Sequence, residues 1–304
     1  MLYRLFRSFF FGNYFYGVCA VALSVESALQ QAAGFNSIAY YLVVFSATVV
    51  YYTYAYTSDA TPNATNERSD WYIQNKRFVR ASQLAFGIIF TLSLSIFIAQ
   101  QKEYLFKIPF YYWVILFIFP LTAALYYGFQ SPVLRKYNLR DTGWLKPFVI
   151  GFVWAGAVSV YPVVFSTLAK GLEYHLSALK IMLFIKNFMF ITVLCIMFDI
   201  KDYAEDHNRQ LKTFVVRVGL RKTIYSILIP LCSIGLGTYI MYALAQDFPL
   251  IRIVFNTVPF VLLIIVAYSM NKRKNIIYYL AVIDGLMLVK AICGSLGMIL
   301  SSNF

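Results

Sequence analysis

What this chain lacks most is charge. Asp, Glu, Lys and Arg make up 13% of its 304 residues, against roughly one quarter in a typical soluble domain. So little charge excludes an ordinary water-soluble globular domain. Negative charge is the scarcer sign, with 13 acidic residues against 26 basic ones and a formal net charge of +13. Cysteine is sparse: Cys19, Cys195, Cys232 and Cys293 lack metal-ligand spacing, and all fall in apolar runs, where small packing residues belong. The two histidines suggest no site, since His207 lies among charges and His175 in an outer loop. Alternation of period two with outward-facing polarity is missing, which argues against a β-barrel. No stretch has the composition of an appended soluble domain, so 1–304 reads as one membrane domain.

What the chain has is length of apolar sequence. Apolar residues reach 61% and mean hydropathy is +0.67. Crossing a ~30 Å hydrocarbon core takes roughly 20 helical residues. Nine runs qualify, near 9–28, 36–56, 81–100, 109–127, 147–166, 180–198, 223–245, 250–270 and 276–300. The expected fold is all-α, a polytopic integral membrane bundle of about nine transmembrane helices. The first run follows Arg4 and Arg7, contains Asn13 and Glu26 and lacks a convincing cleavage site. It reads as the first membrane helix rather than a removed signal.

Lys and Arg are distributed unevenly between the loops. Arg68, Lys76, Arg77 and Arg80 follow run two. Arg135, Lys136, Arg140 and Lys146 follow run four, and Lys201, Arg209, Lys212, Arg217, Arg221 and Lys222 follow run six. The odd loops hold few. The positive-inside rule therefore places the N-terminus and even loops in the cytoplasm; a bacterial-type cytoplasmic membrane is the expected location. Most of the positive charge is topology, with a share left for anionic lipid or substrate; nothing calls for a nucleic-acid partner.

The stretch Asp199–Gly219 concentrates the chemistry. Asp199, Asp202 and Asp206 stand at i, i+3 and i+7, on one face if the segment is helical. Carboxylates so close repel one another and require a compensating cation. Oxygen-only ligands favour Mg²⁺, which usually bridges carboxylates to substrate phosphates. Following an apolar run, these residues suggest a Mg²⁺–phosphate site at a membrane surface.

The pattern Asp-x-x-Asp-x-x-x-Asp, continued by Lys212, Thr213, Val216 and Gly219, resembles the second aspartate-rich motif of the UbiA superfamily of intramembrane prenyltransferases. Nine helices with this motif after the sixth also resemble that family, as do Tyr127 and the Leu145-Lys146 pair before run five. The first motif departs from the family. Aligning Arg68 with the family arginine puts Thr53, Thr57 and Thr61 where an Asn and two Asp belong, while Asp59, Asn63, Asn66 and Glu67 remain as oxygen donors.

The resemblance implies transfer of a prenyl group from an allylic prenyl diphosphate to an aromatic or lipid acceptor. Mg²⁺ would sit on Asp199, Asp202 and Asp206, the catalytic set, with Asp59 and Asn63 as further candidate ligands. Arg68, Lys146, Arg140 and Lys212 would hold the diphosphate. Aromatic faces stabilise a carbocation, and Tyr51, Tyr52, Tyr54 and Tyr56 lead into the first loop. Alternatives are a homologue of that fold with lost or altered catalysis, and a polytopic transporter or lipid-binding membrane protein.

Four ionisable residues, Glu26, Lys186, Asp284 and Lys290, fall inside the apolar runs, where charge is expensive and marks function or pairing. Cross-bundle partners are expected, with Glu26–Lys186 and Asp284–Lys186 as candidates. Tyr54, Tyr127, Asn187 and Asp284 are candidate cavity residues.

Overall fold

The structure is a computed structural model and describes residues 2–58, 67–105, 107–127, 143–208, 213–272 and 274–301. Every regular element among the described residues is helical, the form in which a chain in lipid satisfies its backbone without water. In order these are α1 (Leu2–Phe11), α2 (Tyr14–Gln30), α3 (Ile38–Ser58), α4 (Glu67–Gln74), α5 (Lys76–Leu105), α6 (Phe110–Tyr127), α7 (Lys146–Ala155) and α8 (Tyr161–Ala169). Then come α9 (Ala178–Asn208), α10 (Phe214–Val218), α11 (Leu220–Lys222), α12 (Ile229–Ala245), α13 (Leu250–Ser269), α14 (Ile276–Tyr278) and α15 (Gly285–Ser301).

Six of these rods are long and apolar enough to cross a membrane: Lys76–Tyr104, Lys146–Ala169, Ala178–Lys201, Leu220–Ala245, Leu250–Ser269 and Ile276–Ser301. The first of the nine expected runs is a pair of helices, α1 and α2, bent by 60°. Two others form the shorter apolar helices Ile38–Tyr54 and Phe110–Tyr126. The bend departs from the unbroken first span expected from sequence. Its cause is Asn13, whose φ of 66° is left-handed, a conformation that Asn tolerates better than most residues.

Three rods contain a π-helical turn: Gly156–Val160 between α7 and α8, Thr223–Leu228 before α12, and Tyr279–Ile283 before α15. Prolines at Pro162 and Pro230 follow the first two. A proline lacks the N–H that would bond back four residues, and a widened turn absorbs the missing bond. The third ends at Asp284, a buried carboxylate.

Packing sorts the rods by exposure. α3 packs on α5, α7 on α9 and α13 on α15, while α2 lies between α3 and α15 and brings the two ends of the chain together. α5 presents Leu84, Ile88, Leu92 and Ile96 outward, one exposed residue per turn; this is a lipid-facing stripe. α9 is its opposite, with Phe190, Ile191, Val193, Leu194, Ile196 and Met197 all buried in the main core. Helix α9 is therefore the axis of the bundle, with Lys186, Asn187 and Asp199 buried along it.

Candidate functional site

At one end of that axis, α9 continues helically through Asn208. The condition on the aspartate spacing is met, so Asp199, Asp202 and Asp206 stand on one helix face. Asp199 is 1% exposed, and its Oδ1 accepts from Lys146 Nζ at 2.8 Å. Lys146 opens α7, with Pro147 behind it in the first turn, a position where proline costs no helical bond. Because α7 runs along α9, the helix start carries the ammonium to the carboxylate. The Lys146 side chain is 35% exposed, so the pair connects the core to the bundle end. Beyond it, Thr213 stands at the N-cap position of α10 without a side-chain capping bond, and Gly219 closes that helix with φ 92°, a backbone setting that favours glycine. The Thr-x-x-Val-x-x-Gly half of the motif is thus one short helix, packed on α9.

A second group surrounds Asn13. Its left-handed backbone turns the amide inward, where Nδ2 donates to Thr53 Oγ1 at 3.0 Å and to Tyr72 Oη at 2.9 Å. Arg68, 2% exposed, donates to Asn13 Oδ1 and, at 3.3 Å, to the Phe11 carbonyl. Tyr72 donates to the same carbonyl at 2.8 Å. An asparagine from the first helix break thus reaches Thr53 on α3. Sequence reading passed over Asn13 as a polar residue in a span; the signal was the Gly12-Asn13 pair, turn chemistry inside an apolar run.

The third group is aromatic. Tyr16 donates to Asp284 Oδ2 at 2.6 Å and stacks on Tyr52, with ring centroids 4.7 Å apart. Trp154 Nε1 donates to Tyr52 Oη at 2.6 Å. Cys195, one turn before Asp199, is in electrostatic range of Asp199, Lys146 and Asp284, and Asp284 is in range of Arg68 and Lys201. The three groups therefore share one end of the bundle.

The intramembrane pairing differs from the candidates. Glu26 Oε2 accepts from Lys290 Nζ at 2.6 Å and Lys186 donates to Asn256 Oδ1 at 2.8 Å; Asp284 meets Tyr16. The reason is a close approach of α15 to α2: a Cβ on Gly294 would lie 2.3 Å from Glu26 Oε1. That contact brings Lys290, one turn earlier on α15, onto Glu26 ahead of Lys186.

Of the remaining candidates, Asn187 is buried and donates to Ser159 Oγ at 2.6 Å, while Tyr54 is 46% exposed on α3. Asp59, Asn63, Arg140 and Lys212 lie outside the described residues, as do the side chains of Asp202, Asp206 and Tyr127. Among the described residues, no three His, Cys, Asp or Glu side chains gather to hold a metal. Of the three aspartates, Asp199 has a described side chain, and its buried carboxylate is held by Lys146. A shallow groove lined by Arg221, Lys222, Tyr225 and Ser226 adds basic residues at the start of the α11–α12 rod. No protein-family model, curated protein or solved structure matches this chain.

Proposed function

We infer that this chain is a UbiA-like intramembrane prenyltransferase of nine membrane helices, acting on an allylic prenyl diphosphate and an aromatic or lipid acceptor. One observation carries the reading: Asp199, first of the triad on α9, is buried against Lys146, which comes from the other element that resembles the family. Two separately noted sequence features thus meet at 2.8 Å.

In this reading Asp199, Asp202 and Asp206 hold Mg²⁺ at the cytoplasmic end of the bundle. The ion, when bound, neutralises the diphosphate leaving group and so favours cleavage of the allylic C–O bond. Lys146 holds the Asp199 carboxylate in place and has an exposed flank from which to meet a diphosphate oxygen. Arg68 is positioned by Asn13 and adds positive charge to the same end. The Tyr16–Tyr52 stack and Trp154 offer π faces to a developing allylic cation, and the surrounding apolar core keeps water from it.

The test is turnover. Purified protein in lipid is given labelled allylic diphosphates, Mg²⁺ and a membrane extract as acceptor source, beside Asp202→Asn. Mg²⁺-dependent diphosphate release that is lost in the variant supports the reading. Absence of both binding and turnover for every prenyl diphosphate rejects it and favours the transporter or lipid-binding class.

A further inference from the structure

The opposite end of α9 carries a different group of buried polar side chains, about 20 Å away along the helix, since Lys186 precedes Asp199 by 13 residues at roughly 1.5 Å each. Four helices contribute: Glu26 and Gln30 from α2, Lys186 from α9, Asn256 from α13 and Lys290 from α15. Each is at least nine-tenths buried. Their hydrogen bonds form a chain. Lys290 Nζ donates to Glu26 Oε2 at 2.6 Å. Gln30 Nε2 donates to Glu26 Oε1 and to Asn256 Oδ1, both at 2.9 Å. Lys186 Nζ donates to the same Asn256 oxygen at 2.8 Å, and Asn256 Nδ2 donates to the Arg252 carbonyl at 3.0 Å.

The charges in this chain do not balance. Glu26 is taken by Lys290, whereas Lys186 meets a neutral amide oxygen and the face of Tyr239, 5.1 Å from Nζ to the ring centroid. No carboxylate among the described residues lies within ion-pair distance of it. Arg252, set over the Phe248 ring at 3.8 Å, is also in electrostatic range of Lys186. Three cations thus face one carboxylate. An ammonium has three donors, and Lys186 uses one of them on Asn256. Burying a charge without a counter-ion costs several kcal/mol.

We propose that Lys186, Tyr239 and Arg252 form a membrane-embedded binding site for a carboxylate ligand at the end of the bundle opposite Asp199. A carboxylate brings one negative charge and two acceptor oxygens. The unused N–H groups of Lys186 satisfy one oxygen. The Tyr239 hydroxyl, which donates a long 3.4 Å bond to the Arg252 carbonyl, satisfies the other. Arg252, in the first turn of α13 and half-buried, adds attraction for the anion. The Glu26–Lys290 pair behind Lys186 closes the site: the carboxylate already there repels a second anion from going deeper. The site is independent of the prenyl-transfer reading and holds if that reading fails.

The probe is radiolabelled benzoate, with unlabelled acetate as competitor and chloride as the ionic-strength control, on the full chain in lipid nanodiscs. Wild type should bind saturably, one benzoate per chain, with displacement by acetate and not by an equal concentration of chloride. Lys186→Met should weaken binding by roughly ten- to hundredfold, the loss of one charged hydrogen bond, and Lys186→Arg should retain most of it. Tyr239→Phe removes a single hydroxyl, leaves the ring in the core and should weaken binding several-fold. It tests the site even if Lys186→Met does not fold. Lys180→Met, a charge loss on the same helix outside the cluster, should bind as wild type. Absence of saturable binding to wild type overturns the proposal. So does undiminished binding in both Lys186→Met and Tyr239→Phe, or an equal loss in Lys180→Met.

Discussion

The two ends of α9 face the same difficulty, charge in a low-dielectric interior, and resolve it differently. At the Asp199 end the buried charge is a single carboxylate, and a lysine from the start of a neighbouring helix answers it at 2.8 Å while keeping its side chain 35% exposed. At the Lys186 end the excess is positive and lies deeper. Glu26 and Lys290, 1% and 2% exposed, neutralise each other, and Lys186 is left with an amide and an aromatic ring. The difference teaches that a buried ion pair and a ligand site are separable by counting. Where cation and carboxylate match, the pair is sufficient to itself; where they do not, the remainder is available to a ligand. The Asp199 end joins its pair to water, as a site for a charged diphosphate must. The Glu26–Lys290 pair is sealed.

The largest test of that contrast is to break the sealed pair. Glu26→Leu leaves Lys290 buried and uncompensated, and should lower unfolding stability by about 3–5 kcal/mol, read from denaturant titration in mild detergent. Adding Lys290→Met should restore most of the loss, since removing both charges together is often nearly neutral. At the other end the same logic should fail for activity. Asp199→Asn with Lys146→Met is expected to fold, yet prenyl-diphosphate turnover should drop by roughly a hundredfold or more, the scale on which losing an electrostatic catalytic group acts. Turnover retained in that double variant would make the Asp199 pair merely structural, like Glu26–Lys290.

A smaller effect is expected from Gly294→Ala. The added methyl lies 2.3 Å from Glu26 Oε1, and overpacking of this kind costs about 1–3 kcal/mol. Its thermal midpoint should fall, and Glu26→Asp, which shortens the opposing side chain, should recover part of the difference. The smallest effect belongs to Thr53→Val. It removes the acceptor of one buried amide hydrogen bond and should cost about 1 kcal/mol by the same measurement, because Asn13 Nδ2 keeps Tyr72 as a partner.

Much of the fold was legible from composition. Apolar runs give helices because lipid offers the backbone no other partner, and the predominance of helix follows from that alone. The break at Asn13 and the π-helical turns were less visible, since periodicity records which face is apolar and is silent on the local width of a turn. At the site, the aspartate spacing and Lys146 were legible because motif residues are close in sequence or carry a rare charge. Of the Asn13–Thr53–Arg68 group, Thr53 and Arg68 were marked by the motif alignment, whereas Asn13, 40 and 55 residues from them, was not. The cross-bundle pairs were half legible: the four ionisable residues stood out against their apolar surroundings, and their partners did not.

The sequence by itself determined that this protein is helical and membrane-embedded, because hydropathy is a local property; that Asp199, Asp202 and Asp206 share a face followed only once α9 continued helically through Asn208. Which charge answers which was decided only in the tertiary structure. A close approach at Gly294 gives Glu26 to Lys290, the packing of α7 on α9 gives Asp199 to Lys146, and Lys186 is left over by the same geometry. Pairing in a low dielectric is settled by distances of a few ångström, and those distances belong to the packed bundle.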